Sequence, residues 1–270
     1  MKSILSFDID QTLNIAKTPI PKEIAELLIK LLRADFKICP ISGQKFQQFL
    51  IQIVNPLLEN GVLPENLKNL HLFVAQGTQY YRYNFSPDSP EYSEENWEKV
   101  YDFPLSKEQI EEIVNALESS AKELGFWEED KLASGDEIIE NRLSQVTFSA
   151  LGQKAGTKEK YAWDPDCKKR EKIVERAKKL APDFEFEIGG TTSINAFVPG
   201  MNKVFGMTHL MEELNAKKSD ILYFGDMTQP GGNDYPVVEM GVDTITVRSH
   251  EDTAFALRGI LGVTNNLNSR

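Results

Sequence analysis

The sequence predicts an α/β protein with a doubly wound, Rossmann-like parallel-sheet core and an inserted α+β domain. Residues 3–77 alternate between short, almost wholly apolar runs and amphipathic segments, which is typical of a parallel sheet covered by helices on both faces. A stretch rich in Pro, Ser, Asp and Glu interrupts this pattern after residue 84, and the pattern resumes near residue 191. We therefore predict core segments at 1–84 and 191–270, with the inserted domain at 85–190.

The first core segment is predicted as strand, helix, strand, helix, strand. Residues 3–8 form an apolar run, and 22–34 carry Leu and Ile at helical spacing behind Pro21, which suits a first turn. A strand at 36–43, a helix at 44–54 and a strand at 70–77 follow. Each strand ends in small or polar residues.

The inserted domain and the second core segment show both kinds of periodicity. Ser106 and Gln109 have the spacing of a capping box, which predicts that a helix begins there. Segments 141–151 and 183–188 partly alternate, as strands do, and a basic helix is predicted between them at 168–181. The core pattern then returns as a helix at 203–214, strands at 221–226 and 244–249, and a last helix at 251–262.

Charge and cysteine content narrow the class of partner and compartment. The chain of 270 residues has a net charge of −11, which argues against nucleic acid and anionic membranes as partners. Its two cysteines, Cys39 and Cys167, have no metal-ligand spacing, and sparse cysteine fits a reducing compartment. No apolar run approaches the ~18 residues of a membrane span. We predict a cytoplasmic protein.

Acidic and hydroxyl side chains end several of the predicted strands. Asp8 and Asp10 close the first, Ser42 closes the second, and Asp226 closes the strand at 221–226. Ligands bind at the carboxyl ends of parallel strands, where these side chains would meet. Neighbouring carboxylates need a proton or a cation between them, and oxygen ligands suit Mg²⁺. A calcium loop is excluded, because it needs Gly and Glu where the chain has Leu13 and Pro19.

Four motifs in order resemble those of the haloacid dehalogenase superfamily of phosphoryl-transfer enzymes: DIDQT, ISG, GMNKVFG and FGDMTQPGGND. The resemblance implies Asp8 as the nucleophile, Asp10 as the acid/base and Lys203 as a catalytic cation. It implies phosphate or substrate contacts from Thr12, Ser42 and Gly43. The implied Mg²⁺ site draws its ligands, or their near neighbours, from Asp8, Asp10, Asp226, Asn233 and Asp234.

The fourth motif has six residues between GD and ND, and this long form resembles eukaryotic-type phosphomannomutase. The segments NRLSQVTFSALGQ and GGTTSINAFVPGMNK resemble strands of that family's cap, so the inserted domain is expected to be a cap. The implied substrate-binding residues are Arg142, Lys160, Ser193, Asn195 and, after the first motif, Lys17.

The cap segments also depart from the family. Gln153 stands where the family has an arginine, Asn195 stands for an aspartate, and Lys160 and Lys17 stand for arginines. Lysine keeps the charge but not the two-pronged geometry that binds phosphate, and glutamine loses the charge as well. A mutase must hold a hexose bisphosphate, which needs a cationic site for each phosphate. The core site is complete in this sequence, whereas the cap site is weakened.

The expected function is Mg²⁺-dependent phosphoryl transfer through an aspartyl phosphate. Hydrolysis of a hexose phosphate, or of a similar small phosphorylated metabolite, is favoured by the cap departures. Phosphomannomutase or phosphoglucomutase activity through a 1,6-bisphosphate is the alternative, and a non-catalytic sugar-phosphate-binding protein is the second alternative. The resemblance is compatible with a monomer or a homodimer formed through the cap.

Overall fold

The computed structural model describes residues 2–268, which form two compact units. The first, here called the core unit, runs to Asp102 and continues from Lys203 onward. The second, the inserted unit, comprises Phe103–Asn202. Among the described residues, none of the helices is long and apolar enough to cross a membrane.

Strands and helices alternate through most of the described chain. The strands are β1 (Ile4–Phe7), β2 (Lys37–Pro40), β3 (His71–Val74), β4 (Gln79–Tyr83), β5 (Trp97–Asp102), β6 (Ile139–Asn141), β7 (Val146–Ser149), β8 (Glu185–Gly189), β9 (Ser193–Phe197), β10 (Ile221–Gly225) and β11 (Thr244–Thr246). The α-helices are α1 (Lys22–Arg33), α2 (Phe46–Phe49), α3 (Asn55–Glu59), α4 (Lys107–Glu123), α5 (Thr157–Trp163), α6 (Lys168–Leu180), α7 (Lys203–Glu213), α8 (Tyr235–Glu239) and α9 (His250–Asn268).

A parallel sheet in the order β11-β10-β1-β2 forms the centre of the core unit. Strand β1 is central and fully buried, and it pairs with β10 on one side and β2 on the other. Strand β3 lies beside β2, to which the chain is joined by two isolated parallel bridges, Ile38 to Leu70 and Ile41 to Phe73. The predicted fold class is confirmed. The registers bring the carboxyl ends of β1, β2 and β10 to one edge of the sheet, where Asp8, Ser42 and Asp226 follow them.

The boundaries between the units differ from those predicted from composition. The polar segment after residue 84 connects β4 to β5, and these two strands pair antiparallel within the core unit. Tyr83 and Trp97 are buried in the core cluster, so this hairpin belongs to the core unit despite its polar loop. At the other end, β9 pairs with β7 and β8. The predicted boundaries at 84 and 190 therefore move to Asp102 and Lys203.

The helix predicted at 44–54 has a more complex form in the structure. A four-residue helix, α2, leads into a π-helical turn at Leu50–Val54, and α3 continues to Glu59. The wider turn buries Gln52, whose side-chain oxygen accepts a hydrogen bond from Asn14 Nδ2 at 3.0 Å. Pro56 lies in the first turn of α3, where a missing N–H is tolerated.

The inserted unit is a four-stranded antiparallel sheet, β6-β7-β9-β8, with α4 and α6 on one face. Its apolar face shares one buried cluster with both helices; the cluster includes Ile113, Leu117, Val146, Phe148, Ile173 and Ile194. The predicted capping box is confirmed, since Ser106 Oγ accepts from Gln109 N and Gln109 Oε1 accepts from Ser106 N. The opposite face of the sheet carries polar side chains.

Candidate active site

Three carboxylates meet at the carboxyl edge of the parallel sheet. Asp8 directly follows β1, and its backbone amide donates to Phe224 of β10 at 2.9 Å. Asp226 directly follows β10, and Asp234 is the residue before α8. One carboxylate oxygen from each of the three lies within 4.8 Å of the others. The sheet register thus joins residues that are 226 positions apart in the chain at most.

The loop between Asp226 and Asp234 closes on itself. Asp234 Oδ2 accepts a hydrogen bond from the amide of Met227 at 3.0 Å, and the amide of Asp234 donates to the Met227 carbonyl at 3.1 Å. Gly225 makes this approach possible, because a Cβ there would lie 2.5 Å from Asp234 Oδ2. Gly232 is under the same constraint, since its Cβ would lie 2.0 Å from the Met227 oxygen. The glycines of the long motif therefore bring Asp234 back against the end of β10.

Lys203, the first residue of α7, connects two of the carboxylates. Its Nζ lies 2.5 Å from Asp8 Oδ1 and 2.5 Å from Asp234 Oδ1, and the side chain is 1% exposed. Tyr223 of β10 donates its hydroxyl to the same Asp234 oxygen at 2.5 Å. Asp234 is thus held by a lysine, a tyrosine and a backbone amide, and it in turn positions Lys203 beside Asp8.

The charge of this cluster is unbalanced. Burial raises the pKa of the Asp8 carboxyl, and Lys203 offsets only part of that rise. Burial and the nearby Asp234 raise the pKa of Asp226 to about 6. Burial alone would lower the pKa of Lys203, but Asp234 and Asp8 outweigh it and hold that pKa above its usual value. The three carboxylates therefore carry more negative charge than Lys203, which is paired with Asp8 and Asp234, can balance.

These residues fit a magnesium ion. The donors are carboxylate oxygens, which Mg²⁺ prefers, and the excess negative charge calls for a cation. Asn233 adds a buried side-chain oxygen, Oδ1, that has no hydrogen-bond partner among the described residues. Of the four predicted metal-site residues that are carboxylates, Asp8, Asp226 and Asp234 form the cluster, whereas Asp10 is not among its members.

Asp10 belongs to a tight loop after β1. The amide of Lys17 donates to Asp10 Oδ1 at 2.8 Å, and the amide of Gln11 donates to the Asn14 carbonyl at 3.0 Å. Gln11 and Lys17 adopt left-handed backbone conformations, with φ of 64° and 62°. The backbone of Lys17 therefore orients Asp10, a role that the sequence did not reveal.

Thr12 is fully buried in this loop. Its carbonyl accepts from Thr253 Oγ1 at 2.6 Å, which ties the loop to α9. Its own hydroxyl has no hydrogen-bond partner among the side chains and backbone that the structure describes. Such a hydroxyl is available to the site.

Ser42 and Gly43 follow β2 at the same edge of the sheet. Ser42 is buried, and its amide donates to the Phe73 carbonyl at 3.2 Å. The amide of Gln76 donates to the Ser42 carbonyl at 2.9 Å. Ser42 is thus fixed on both sides of its peptide, with its side chain near the end of the strand beside Asp8.

The predicted cap residues lie in the inserted unit, where each contacts another residue of that unit. Arg142 makes a buried ion pair with Glu140, at 2.7 Å from Nη2 and 2.8 Å from Nε to the same oxygen. Lys160 Nζ donates to the Gln153 carbonyl at 2.6 Å. Gln153 Nε2 donates to Ser149 Oγ at 3.3 Å.

Polar residues cross all four strands of that sheet in one row. Glu140 is paired with Thr147, Thr147 with Asn195, and Asn195 with Glu187. Thr147 donates its hydroxyl to Asn195 Oδ1 at 2.9 Å. In the adjacent row Ser193 Oγ lies 3.0 Å from Ser149 Oγ. This face therefore carries the carboxylates of Glu140 and Glu187, and Arg142 is paired with the first of them.

The fold brings some of the predicted residues into direct contact and places others on neighbouring loops or in the inserted unit. Asp8, Lys203, Asp226 and Asp234 form one network, with Asp10, Thr12, Ser42 and Gly43 on neighbouring loops of the core unit. The predicted cap residues share the polar face and adjoining loops of the inserted unit. Tyr223 was not predicted; its place three residues before Asp226, on an otherwise apolar strand, is the signal that could have identified it.

Comparisons with known proteins agree with the family resemblance of the sequence motifs. The sequence profile of the family described as eukaryotic phosphomannomutase matches residues 92–263. A phosphomannomutase of Encephalitozoon cuniculi is 27% identical over 260 residues, which cover 93% of this chain and 91% of that protein.

Solved structures share the fold at lower identity. An IMP-bound, N-terminally truncated IMP-nucleotidase of Plasmodium falciparum has a TM-score of 0.66 and 17% identity, covering 97% of this chain and 68% of that one. A haloacid dehalogenase-like hydrolase of Bacteroides thetaiotaomicron has a TM-score of 0.60 and 14% identity, covering 96% of this chain and 100% of that one.

Proposed function

This chain belongs to the eukaryotic phosphomannomutase family, and from that premise we propose that it hydrolyses a hexose phosphate or a similar small phosphorylated metabolite. Membership makes it an enzyme of the haloacid dehalogenase superfamily, whose chemistry is phosphoryl transfer. The proposal concerns the acceptor of the phosphoryl group, which is water in a phosphatase and a sugar hydroxyl in a mutase.

One observation carries the preference for hydrolysis: the Arg142–Glu140 ion pair. Both side chains are about nine-tenths buried, with exposed fractions of 10% and 9%, so the charge of Arg142 is already neutralised. A second phosphate bound there would lie beside the buried Glu140 carboxylate, and the two anions would compete for one guanidinium. Lys160 likewise donates to a backbone carbonyl. A substrate with a single phosphate avoids these costs.

In the proposed mechanism, Asp8 is the nucleophile. A bond forms between its carboxylate oxygen and phosphorus while the bond from phosphorus to the leaving oxygen breaks, which gives an aspartyl phosphate. Asp10 gives its proton to the leaving oxygen and later takes one from the attacking water. That attack breaks the bond between Asp8 and phosphorus and releases inorganic phosphate. The amide of Lys17 holds Asp10 for both transfers.

The remaining residues stabilise charge and position the reacting groups. Lys203 and the Ser42 hydroxyl would bind phosphoryl oxygens, while Asp234 and Tyr223 hold Lys203 in place. Asp8 and Asp226 would hold Mg²⁺, with Asn233 and Asp234 at or beside that site. When bound, Mg²⁺ supplies the positive charge that lets a phosphate dianion approach Asp8.

Mutase activity is the second candidate, because the matching family profile and the E. cuniculi relative carry the phosphomannomutase name. The experiment that separates the two uses Mg²⁺, mannose 1-phosphate and a trace of glucose 1,6-bisphosphate, followed by phosphorus NMR. Hydrolysis predicts inorganic phosphate and free mannose. Mannose 6-phosphate without inorganic phosphate would overturn the preference and make the protein a mutase.

Asp8→Asn tests the proposed nucleophile. The variant keeps the size of the side chain but not the carboxylate, so turnover of an aryl phosphate should fall at least ~10⁴-fold. The same loss would exclude a non-catalytic sugar-phosphate-binding protein. Retained turnover in Asp8→Asn would show that another residue forms the covalent intermediate.

A further inference from the structure

Gln44 is a buried side chain without an evident structural purpose. It is 8% exposed, and neither its Nε2 nor its Oε1 has a hydrogen-bond partner among the described residues. A carboxamide can donate two hydrogen bonds and accept two. Burying one unpaired costs free energy that an apolar side chain of similar size would not.

Gln52 shows how this protein satisfies a structural glutamine. Gln52 is 1% exposed, its oxygen accepts from Asn14, and its nitrogen lies 3.3 Å from Gln48 Oε1. Only the backbone of Gln44 is used in a comparable way, because its carbonyl accepts from the Ala75 amide at 3.0 Å and its amide lies 3.4 Å from Ser42 Oγ. The main chain at Gln44 is fixed while its carboxamide is unpaired.

The position of Gln44 indicates a ligand rather than a packing fault. It lies two residues beyond Ser42, at the carboxyl edge of the sheet that carries Asp8. Thr12 Oγ1 and Asn233 Oδ1, which are also buried and have no partner in the described part of the chain, belong to loops at the same edge. These atoms follow three different strands, β2, β1 and β10, so a shared ligand explains them together.

We propose that Gln44 is a substrate-binding residue whose Nε2 donates a hydrogen bond to a phosphoryl oxygen and whose Oε1 accepts one from a substrate hydroxyl. A ligand that satisfies both atoms carries an acceptor and a donor, as a phosphate monoester of a polyhydroxyl compound does. This inference rests on the proposed function for the identity of the substrate, but the contact with phosphate can be tested without turnover.

The test measures binding of inorganic phosphate by calorimetry in the presence of Mg²⁺. Gln44→Leu removes both polar atoms and keeps the volume, so Kd should rise about tenfold, the effect of one lost hydrogen bond to a charged group. Gln44→Glu should raise Kd further, because a carboxylate repels phosphate. Gln47→Leu is the matched control, since Gln47 is exposed three residues further along, and its Kd should match that of the wild type.

Thermal unfolding without phosphate separates a binding role from a structural one. Gln44→Leu should melt at or above the wild-type temperature, because it removes an unpaired polar group from the interior. A lower melting temperature with unchanged Kd would overturn the inference. So would a wild-type protein that binds no phosphate. If Gln44→Leu does not fold, Gln44→Met provides the same comparison.

The outcome also distinguishes this inference from the proposed function. Gln44-dependent binding of phosphate, in a protein that does not hydrolyse hexose phosphates, would overturn the proposed function and support the contact. The opposite outcome is a protein that hydrolyses hexose phosphates, with a kcat/KM that Gln44→Leu changes less than twofold on both an aryl phosphate and a hexose phosphate. That result would support the proposed function and overturn the contact.

Discussion

At the scale of single residues, the network around Asp234 controls the position of the proposed catalytic lysine. Asp234 Oδ1 accepts from both Lys203 and Tyr223, and Lys203 also reaches Asp8. Without the Tyr223 hydroxyl, the buried Asp234 carboxylate would interact more strongly with Lys203, its remaining side-chain donor. Tyr223 therefore acts on Asp8 only through two other side chains, which makes it a positioning residue.

Tyr223→Phe tests that role. Loss of a hydrogen bond to a buried carboxylate should lower the free energy of unfolding by about 1.5–3 kcal/mol. It should also lower kcat with little change in KM, because the hydroxyl contacts Asp234 rather than substrate. Steady-state kinetics and denaturant unfolding check the two effects.

Tyr80→Phe is the matched control for Tyr223→Phe. Tyr80 is 2% exposed, and its hydroxyl lies 2.8 Å from His71 Nδ1, away from the carboxylate cluster. We expect it to cost stability without lowering kcat. Equal loss of kcat in both variants would mean that general destabilisation, not the position of Lys203, explains the effect.

At the scale of elements, the close approach of α7 to the loop after β3 sets where Lys203 begins its helix. A Cβ on Gly206 would lie 2.8 Å from the Gln76 carbonyl oxygen and 2.9 Å from Gly77 Cα. Gly206 is one turn beyond Lys203 on the same helix. Only glycine lets the two backbones meet at this distance.

Gly206→Ala should therefore push α7 away from the loop and displace Lys203. We expect it to be destabilising and to lower kcat, as judged by thermal unfolding and by aryl phosphate turnover. Gly259→Ala in α9 is the control, because a Cβ there meets nothing within 4 Å. That change should stabilise the protein by about 0.5–1 kcal/mol, the usual gain for alanine over glycine inside a helix. A Gly206→Ala variant as stable and active as the wild type would contradict the prediction.

At the scale of the whole molecule, His71 makes folding sensitive to acid. Burial, and then the nearby cations Lys37 and Arg82, lower the pKa of His71 to about 3. An unfolded histidine titrates near 6.5, so between these values the unfolded chain binds a proton that the folded chain does not. Stability should fall as the pH drops from about 6 to about 4, by up to about 1.4 kcal/mol for each pH unit.

His71→Phe should flatten that dependence, even if it lowers stability at neutral pH. Urea unfolding at several pH values measures the slope, and His209→Gln provides a control at a partly exposed histidine. An unchanged slope in His71→Phe would assign the acid sensitivity to other groups.

Cation binding should stabilise the whole core unit, because three carboxylates cluster together and Lys203 forms ion pairs with only two of them. Mg²⁺ that binds only the folded protein raises the melting temperature by mass action. We expect Mg²⁺ to raise the melting temperature of the wild type and chelation to reverse the change. Asp226→Asn should melt higher than the wild type without Mg²⁺, since it relieves repulsion, and should respond less to the ion. A wild-type melting temperature that Mg²⁺ leaves unchanged would contradict the expected metal site.

Apolar periodicity and motif order by themselves determined the parallel core, the interruption by a second unit, and the candidate residues Asp8, Asp10, Ser42, Lys203 and Asp226. These follow from local patterns: a buried strand needs a continuous apolar run, and a parallel sheet gathers strand ends at one edge. The same local patterns led to a predicted boundary at residue 84, whereas the core unit extends to Asp102. The polar loop there joins β4 and β5, which pair with each other and bury Tyr83 and Trp97 in the core cluster, a packing that composition does not reveal.

Tertiary structure decided which groups share a hydrogen bond. No spacing along the chain shows that Tyr223 and Lys203 meet on one oxygen of Asp234, that the Lys17 amide orients Asp10, or that Arg142 is neutralised by Glu140. Composition likewise does not show that Gln44 is buried unpaired while Gln52 is buried and satisfied. Each of these depends on distances across the fold, because the energy of a buried polar group is set by the partner it finds there.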